Sequence, residues 1–519
     1  MTLTVMDWFC GAGGSSQGID AVPGVEVTLA ANHWQLALDS HASNFPRVRH
    51  EIGDIRELDV QNWPVAQGFW ASPECKQWTG ARGKARDYET NQAELPGMEK
   101  PLDKRAERSR ALMWDIPKYL EGVQRRGKLV LFGVVENVVE ARSGRDWNRW
   151  IRDLRNLGYK VRVIAFNSMH AQKTATLTPP QSRDRLYVAY WHVSLGRDPD
   201  FDKWLRPEAY CATCDRTAQA IQVFRVPGRD MGRYRQSYDY RCASMDCRNA
   251  IVEPETLPAL TAIDFSAKAT RIGDRKKTKK KPQGLAPATI ARIKAGMEAH
   301  WLPLLIPCGG TWRDSASLLG QPMPTRTTSE NDGLALPPLM VPVEGREGKV
   351  AQRADLPGRT QTTRNETGIA LPPFLIPMRG GGDKDRAVSA EEPLRTVSAE
   401  GNHHGLVPPH LLIPYYGNGK ATTVDNPIGA LTTRDRYGLI TPAIDVEDVL
   451  FRMLEPREIA RAMAFADNYI VLGETNREKV VQYGNAVTPP VAELIISALA
   501  EAVTGEKIER DRRDIRLAA

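Results

Sequence analysis

The first 195 residues alternate short apolar runs with helix-like stretches, and this alternation limits the possible folds more than any other feature. The runs are TLTVMDWF, VEVTLAAN, GFWAS, KLVLFGVVENV, YKVRVIAFNS and RLYVAYWHV, and one helix-like stretch between them is AERSRALMWDIPKYLEGVQRR. Strands that alternate with helices favour a doubly wound α/β sheet. In that architecture, ligands bind beyond the carboxyl ends of the strands.

The composition is that of a soluble globular protein of two or three domains. The 519 residues are 41% hydrophobic and 26% charged, and the net charge of +7 permits a polyanionic partner without requiring one. The start MTLTVMDWFCGAGG does not resemble a signal peptide, and no apolar run approaches the length of a membrane span. We therefore expect a cytoplasmic protein without membrane contact. Its seven cysteines are then expected to be thiols or metal ligands rather than disulfides.

The stretch FCGAGGSSQG is a glycine-rich turn between the first strand and a helix. Gly11, Gly13 and Gly14 would let the backbone approach a ligand closely. The spacing fits neither a phosphate-binding loop nor a dinucleotide loop. It favours a nucleoside-like or amino-acid-like cofactor, and a simple tight turn is the alternative.

Three residues that follow the next strands suit such a cofactor. Asn32 or Asp54 could form hydrogen bonds to a ribose or an adenine, and Trp34 could stack on a ring. Each of them could equally have a structural role.

Two pairs of cysteines in the middle of the chain have metal-ligand spacing. CATC and CASMDC are separated by 27 residues, and their cysteines are Cys211, Cys214, Cys242 and Cys247. This pattern predicts a four-thiolate zinc site. The alternative is a small subdomain with four reduced thiols. The basic, tyrosine-containing stretch between the pairs would suit DNA contacts.

A sequence repeat occupies residues 301–450. The segments PTRTTSENDGLALPPLMVP, GRTQTTRNETGIALPPFLIP, LRTVSAEGNHHGLVPPHLLIP and GALTTRDRYGLITPA align at Gly333, Gly368, Gly405 and Gly438, with a period of 33 to 37 residues. The repeats read as tandem β-hairpin-like modules. They could track DNA and lengthen a recognised site, or serve as a spacer or protein-docking surface.

A cationic run, RIGDRKKTKKKPQG, precedes the repeats. Such a run is most often a solvated loop. On a DNA-binding protein it would contact phosphates without reading the sequence.

Six short motifs in order resemble the cytosine-5 DNA methyltransferase family. They are DWFCGAGGSSQG, GDI, SPEC, ENV, QSRDR and YGNAVTPPVAELI, within about 195 N-terminal and 70 C-terminal residues. The resemblance implies a Rossmann-like class I methyltransferase domain with an inserted, largely β target-recognition region. It also implies S-adenosylmethionine as methyl donor and double-stranded DNA, with the target cytosine flipped out of the helix.

The resemblance assigns roles to individual residues. Cytosine C5 becomes nucleophilic only after a thiolate adds to C6, and Cys75 matches the family's nucleophile. Glu136 lies at the end of an apolar strand and matches the protonated carboxyl that the family places at N3 of the cytosine. Burial would raise the pKa of this carboxyl. Arg183 and Arg185 match the pair that contacts the cytosine O2 and orders the site, while Asp184 between them would point away.

The resemblance also implies a set of cofactor contacts. They are Phe9, Gly11, Ala12, Gly13, Gly14, Asn32, Trp34, Asp54, Ile55, Asn485 and Val487. The chain departs from the family pattern in three places. The usual Pro-Pro-Cys-Gln is Pro73-Glu74-Cys75-Lys76, so a carboxylate beside the cysteine would disfavour the thiolate. Asn32 stands where a glutamate usually binds the ribose, and a basic loop follows the cysteine.

Five segments follow from these assignments. We expect a catalytic and cofactor-binding domain (1–195), a zinc-containing part of the recognition region (196–300), a repeat part (301–450), C-terminal motifs returning to the catalytic domain (451–505) and a charged tail (506–519). The family's usual role implies protection of DNA from restriction. We expect a monomer, with or without a cognate restriction enzyme. Two other functions remain open, a tRNA cytosine-5 methyltransferase and a DNA-binding homologue with little or no activity.

Overall fold

The computed structural model describes most of the N-terminal half and the C-terminal part of the chain. The described residues are 2–55, 57–73, 113–144, 146–172, 174–257, 259–264, 267–279, isolated residues between 282 and 293, short strands and a few residues between 304 and 440, and 446–509. The chain divides into two units. The first comprises Met1–Ile263, Pro357–Asn365 and Glu455–Ala519, and the second comprises Asp264–Leu356 and Glu366–Leu454.

A seven-stranded sheet forms the centre of the first unit. Its strands are β1 (Leu3–Trp8), β2 (Val25–Asn32), β3 (Arg49–Ile52), β4 (Gly68–Ala71), β5 (Phe132–Asn137), β6 (Tyr159–Asn167) and β7 (Asp184–His192). The order across the sheet is β3-β2-β1-β4-β5-β7-β6, and β7 alone runs antiparallel to its neighbours. The strand order therefore reverses between β1 and β4, which is the position where open α/β sheets bind ligands.

Helices cover both faces of this sheet. They are α1 (Gly14–Asp20), α2 (Gln35–Asn44), α3 (Asp115–Arg125), α4 (Trp147–Asn156), α5 (Phe201–Leu205), α6 (Pro456–Ala462), α7 (Asn476–Asn485) and α8 (Pro489–Thr504). Alternate side chains of β1 face opposite layers, because Trp8 packs with Tyr119 of α3 whereas Val5 packs in the cluster that contains α8. This three-layer arrangement confirms the predicted α/β architecture with a largely parallel sheet.

Helix α8 is the apolar centre of one layer. It begins at Pro489 after Thr488, and the Thr488 hydroxyl makes no capping hydrogen bond. Among the described residues, the helical stretch Asn476–Thr504 has the length and hydropathy of a membrane span. The expectation that no segment approaches that length was therefore too strict. Because 89% of its most apolar window is buried within the protein, the stretch has the burial of a core helix.

A second, four-stranded sheet follows in the first unit. Its strands are β8 (Glu208–Cys211), β9 (Arg216–Phe224), β10 (Tyr238–Cys242) and β11 (Ile251–Val252), in the antiparallel order β11-β10-β9-β8. Tyr238 and Tyr240 of β10 are buried in the same apolar cluster as Trp8 of β1 and Tyr119 of α3. One continuous core therefore joins the two sheets.

The second unit contains a five-stranded sheet. Its members are β12 (Thr270–Arg271), β16 (Leu339–Pro342), β17 (Gln352–Arg353), β18 (Thr367–Leu371) and β25 (Leu450–Met453), in the order β12-β25-β18-β16-β17. Ile272, Val341 and Phe451 are buried in its apolar core.

The other strands of the second unit form three further sheets. They are β13 (Leu304–Pro307), β14 (Ser317–Leu318), β15 (Asp332–Ala335), β19 (Phe374–Pro377), β20 (Val388–Ser389), β21 (His404–Gly405), β22 (Leu411–Pro414), β23 (Thr422–Thr423) and β24 (Tyr437–Ile440). Each repeat contributes a central strand between two flanking strands, as in β14-β13-β15 and β17-β16-β18. The aligned glycines have the same register in all four repeats. The pairs are Ile306 with Gly333, Val341 with Gly368, Ile376 with Gly405, and Ile413 with Gly438.

Candidate active site

The candidate site lies at the edge of the seven-stranded sheet where the parallel strands end. β1, β2, β4 and β5 finish there, and β7, which runs the other way, begins there. Cys75 falls outside the described residues, and Pro73 is the last described residue before it. The site is therefore built from the residues that surround the strand ends.

Glu136 and Arg185 form a buried ion pair at this edge. They lie on the paired strands β5 and β7, and Arg185 Nε is 3.2 Å from Glu136 Oε1. Burial raises the pKa of Glu136 above its ordinary value, although the positive charges of Arg185 and Arg183 oppose the shift. The raised pKa agrees with the expectation from the sequence. A carboxyl group in this environment can hold a proton and deliver it to an adjacent acceptor.

Arg183 has different partners from Arg185, although both project from the same side of β7. Arg183 is 2% exposed, and its guanidinium group donates to Ala486 O at 2.9 Å, with longer contacts to Gly484 O. Its backbone N–H donates to Asn167 Oδ1 at 3.0 Å. Arg183 thus fastens the start of β7 to the GNAV segment.

Asn137 contacts the two chain segments that flank residues 74–112. Its Nδ2 donates to Pro73 O at 3.4 Å and lies 3.8 Å from Met113 Sδ. Its Oδ1 accepts from the backbone N–H of Val138 at 2.8 Å. The side chain therefore fixes the backbone two residues before Cys75.

The glycine-rich turn after β1 borders open space at one glycine only. A Cβ atom on Gly11 would have no neighbour within 4 Å, and φ there is +56°. A Cβ on Gly14 would lie 2.1 Å from Val487 O, and one on Gly13 would overlap the Tyr469 hydroxyl and the Phe45 ring. The expected close approach to a ligand is thus possible at Gly11, whereas Gly13 and Gly14 are needed for packing against protein atoms.

The other predicted cofactor contacts differ in their access to solvent. Asn32 is 7% exposed, and its Oδ1 accepts from the backbone N–H of Trp34 at 2.9 Å. The buried members of the predicted set are Ala12, Gly13, Gly14, Asn32, Ile55 and Val487, and those with exposed surface are Phe9, Gly11, Trp34, Asp54 and Asn485. The second group, together with the space beside Gly11, is where the chain can receive a cofactor.

Two buried carboxyl groups near the site were missed in the sequence. Asp7 Oδ2 accepts from the hydroxyls of Ser15 and Ser16 at 2.6 and 2.7 Å, so it joins β1 to the start of α1. Burial raises the pKa of Asp7 to about 7, against the opposing hydrogen bonds of the two serines. Glu493 of α8 is fully buried and accepts hydrogen bonds from residues 175 and 176. An acid within the apolar run VAELIISALA of this helix was the signal that could have identified Glu493.

The four predicted metal-binding cysteines come together at one end of the four-stranded sheet. Cys211 ends β8 and Cys242 ends β10, while Cys214 and Cys247 lie in the adjoining loops. Their sulfur atoms all lie within 4.8 Å of one another, and none of the four is in a disulfide. Four converging thiols are a donor set that fits a tetrahedral metal ion.

Comparisons with known proteins identify the family. The sequence model of the C-5 cytosine-specific DNA methylase family matches residues 3–199 and 394–501, which together exceed half of the chain. No curated protein matches the sequence.

Three of the solved structures that match this chain have low sequence identity to it. One is described as a DNA modification methyltransferase encoded within a prophage of E. coli, with 16% identity, 97% of this chain and 99% of that chain covered, and a TM-score of 0.42. Another is the Dnmt2 methyltransferase of S. pombe, with 11% identity, coverage of 97% and 100%, and a TM-score of 0.45. The methyltransferase EhMeth of Entamoeba histolytica has 11% identity, coverage of 97% and 98%, and a TM-score of 0.40. The assignment rests on the sequence model, and by that model the chain belongs to the C-5 cytosine-specific DNA methylase family.

Proposed function

We propose that this protein transfers a methyl group from S-adenosylmethionine to C5 of a cytosine in double-stranded DNA. The cytosine lies in a specific sequence and is flipped out of the helix. The observation that carries the proposal is the buried Glu136–Arg185 pair at the ligand-binding edge of the sheet, in a chain of this family. The pair has the chemistry that addition of a nucleophile to cytosine requires.

In the proposed reaction, Cys75 acts as a thiolate. Its sulfur forms a bond to C6, and the ring electrons move towards N3, which takes a proton from Glu136. C5 would then be nucleophilic and would form a bond to the methyl carbon, while the bond from that carbon to the sulfonium sulfur breaks and the donor leaves as a neutral thioether. Loss of the C5 proton to a base restores the C5–C6 double bond and expels the thiolate, and N3 returns its proton to Glu136. The enzyme thereby recovers its starting state.

The described residues support these steps. Burial raises the pKa of Glu136, which favours its protonated form, and Arg185 stabilises the carboxylate after the proton has left. Asn137 fixes Pro73, so the nucleophile begins from an anchored backbone. Glu74 beside Cys75 would disfavour the thiolate, which bears on the rate rather than on the type of reaction.

S-adenosylmethionine supplies a methyl group that is activated by its sulfonium charge. We propose that the exposed or half-buried Phe9, Trp34, Asp54 and Asn485, with the open side of Gly11, bind it. Trp34 can stack on a ring, and the Asp54 carboxylate can accept hydrogen bonds from ribose hydroxyls.

Bisulfite sequencing of plasmid DNA from cells that express the chain tests this function directly, with Cys75→Ala as control. We expect conversion-resistant cytosines in one sequence context, and none with Cys75→Ala. Absence of protected cytosines in both, with folded protein that binds S-adenosylmethionine, would refute the proposal.

A second assay separates the substrate classes. Purified protein would be incubated with the labelled methyl donor and with duplex DNA or tRNA in parallel. Transfer to tRNA alone would identify a tRNA methyltransferase, and binding of DNA without transfer to either would identify an inactive homologue. The proposed function predicts transfer to DNA.

We further propose that Cys211, Cys214, Cys242 and Cys247 bind a structural Zn²⁺. Zn–S bonds of about 2.3 Å place tetrahedral sulfur atoms about 3.8 Å apart, which the convergence of these thiols permits. Purified protein should contain about one zinc ion per chain. Cys247→Ser should lower both the metal content and the melting temperature, and a wild-type protein without metal would refute the site.

The middle of the chain and its cellular role complete the proposal. We propose that residues 196–450 form the target-recognition region, in which the repeats lengthen the contact with DNA. Deletion of one repeat, residues 339–373, should then change the protected sequence context, whereas an unchanged context would favour a spacer. A monomeric cytoplasmic enzyme that protects DNA from restriction follows from the family's usual role.

A further inference from the structure

Two segments of the candidate site hold the same loop of the four-stranded sheet. The loop consists of residues 230–234 and lies within the connection 225–237 between β9 and β10. One segment is the helical turn Val139–Ser143, which directly follows the end of β5, and the other is the start of β7. The loop therefore contacts the neighbours of both Glu136 and Arg185.

The turn after β5 binds the loop through two ion pairs. Arg142 forms a bidentate pair with Asp230, with 2.9 Å between Nε and Oδ1 and 3.0 Å between Nη2 and Oδ2. Glu140, four residues after Glu136, pairs with Arg233. A bidentate arginine–carboxylate pair fixes orientation as well as distance.

β7 binds the loop through Asp184. Its Oδ1 accepts from the backbone N–H of Tyr234 at 3.0 Å. Adjacent strand residues point in opposite directions, so this bond holds β7 from the side opposite Arg183 and Arg185. Burial raises the pKa of Asp184 to about 6 and the Tyr234 N–H opposes that shift, so the group is ionised at neutral pH.

The loop itself is firmly supported. The Tyr234 ring is 8% exposed and packs edge-on against His170, with ring centroids 4.5 Å apart. Ser237 N donates to Arg233 O at 2.7 Å, and Arg235 N donates to Tyr238 O at 2.8 Å. From there β10 runs straight to Cys242 of the cysteine cluster. Because the loop is held by its own contacts, it can fix the positions of the turn after β5 and of the start of β7.

We propose that the 230–234 loop positions the Glu136–Arg185 pair, and that Asp184, Glu140 and Arg142 are positioning residues for methyl transfer. The proposal rests on the proposed function, since the pair must act on a substrate for its position to matter. It gives the four-stranded sheet a role in the chemical step, in addition to any contact with DNA.

Asp184 provides the first test. Asp184→Ala removes the acceptor for the Tyr234 N–H, whereas Asp184→Asn keeps an oxygen there without the charge. We expect Asp184→Ala to lower the single-turnover rate at saturating DNA and S-adenosylmethionine by about 10- to 100-fold, with KM values within about twofold of wild type. Asp184→Asn should recover the rate to within about threefold of wild type, which a loss of general stability would not predict.

Arg142 provides a second test with a matched control in the same sheet. Arg225 makes an equally close bidentate pair with Asp239, at 2.8 Å for both bonds, without contacting the site segments. Arg142→Ala should lower the maximal rate about tenfold and Arg225→Ala should leave it unchanged. The exchange of Arg142→Asp with Asp230→Arg should restore part of the activity that each single change removes.

Hydrogen exchange gives a readout that needs no substrate. Asp184→Ala should speed amide exchange at residues 184–188 and 230–234, and leave α8 unchanged. Unaltered exchange at both segments, or an unaltered rate in Asp184→Ala with an active wild type, would overturn the proposal. Equal effects of Arg142→Ala and Arg225→Ala would overturn it too. A wild type that methylates nothing would refute the proposed function, and exchange would still decide whether the loop holds β7.

Discussion

Glu493 of α8 allows a prediction whose size can be worked out from the structure. Its Oε1 accepts from Ala175 N at 2.6 Å, and its Oε2 accepts from Thr176 N at 2.9 Å and from the Thr176 hydroxyl at 2.6 Å. The change Glu493→Gln replaces one of these oxygens with an NH₂ group. Whichever way the amide turns, its donor then faces a backbone N–H that loses its acceptor.

The expected cost follows from that loss. A buried donor left without a partner costs about 1–3 kcal/mol, and the hydrogen bonds that remain lose the strength that a charged acceptor provides. Relief from burying a charge offsets part of this cost. We therefore expect Glu493→Gln to destabilise the first unit by about 2–3 kcal/mol.

Thermal unfolding followed by tryptophan fluorescence measures the effect. At about 2 °C per kcal/mol for a unit of this size, the melting temperature should fall by about 4–6 °C. Glu506→Gln, beyond the end of α8 on an exposed residue, is the matched control and should change it by less than about 1 °C. A melting temperature for Glu493→Gln within 1 °C of wild type would show that the three hydrogen bonds do not anchor α8.

Three further predictions concern the site and its supports. Because the pKa of Glu136 is raised, its protonated form should persist to higher pH than that of an ordinary carboxyl group. The rate of methyl transfer should therefore fall as pH rises through that pKa. In a pH–rate profile, Glu136→Gln should not show this fall. Asp7 has a pKa raised to about 7, so its contribution to stability is complete below about pH 4 and is lost as pH rises towards 7. Asp7→Asn should remove that part of the pH dependence of the melting temperature. Gly18→Ala would put a Cβ atom 2.1 Å from Pro489 O. Although alanine has the better helix propensity, this overlap should destabilise the protein by about 1–2 kcal/mol in thermal unfolding. A more stable variant would contradict the packing of α1 on α8.

Most of the central sheet could be predicted from the sequence, because buried strands are apolar. The apolar runs mark six of its seven strands, and VEVTLAAN coincides with β2. β3 was missed because its residues, RHEI, are mostly polar and lie at the sheet edge, where no residue of the strand is fully buried. Its backbone pairing with β2, rather than its side chains, makes it a strand.

The candidate site was predicted in part, and the missing part depends on contacts between distant segments. The strand ends that carry Glu136 and Arg185 could be inferred from the motifs and are adjacent in the structure. The guanidinium group of Arg183 binds carbonyl oxygens about 300 residues further along the chain. The space at Gly14 is closed by Val487, about 470 residues further along. Short motifs contain no information about such neighbours. The roles of Cys75 and of the cofactor contacts stay predictions.

The contacts of residues 12–18 with residues 469–489 have a consequence for the synthesis of the protein. The Tyr469 hydroxyl donates to Ala12 O across 457 residues of sequence, and α8 packs on α1 beside Gly14 and Gly18. On the ribosome, the turn after β1 is made well before its packing partners, Tyr469 and α8, emerge. A chain released before residue 489 lacks the helix that closes this turn. Methyl transfer would therefore begin only after α8 has left the ribosome.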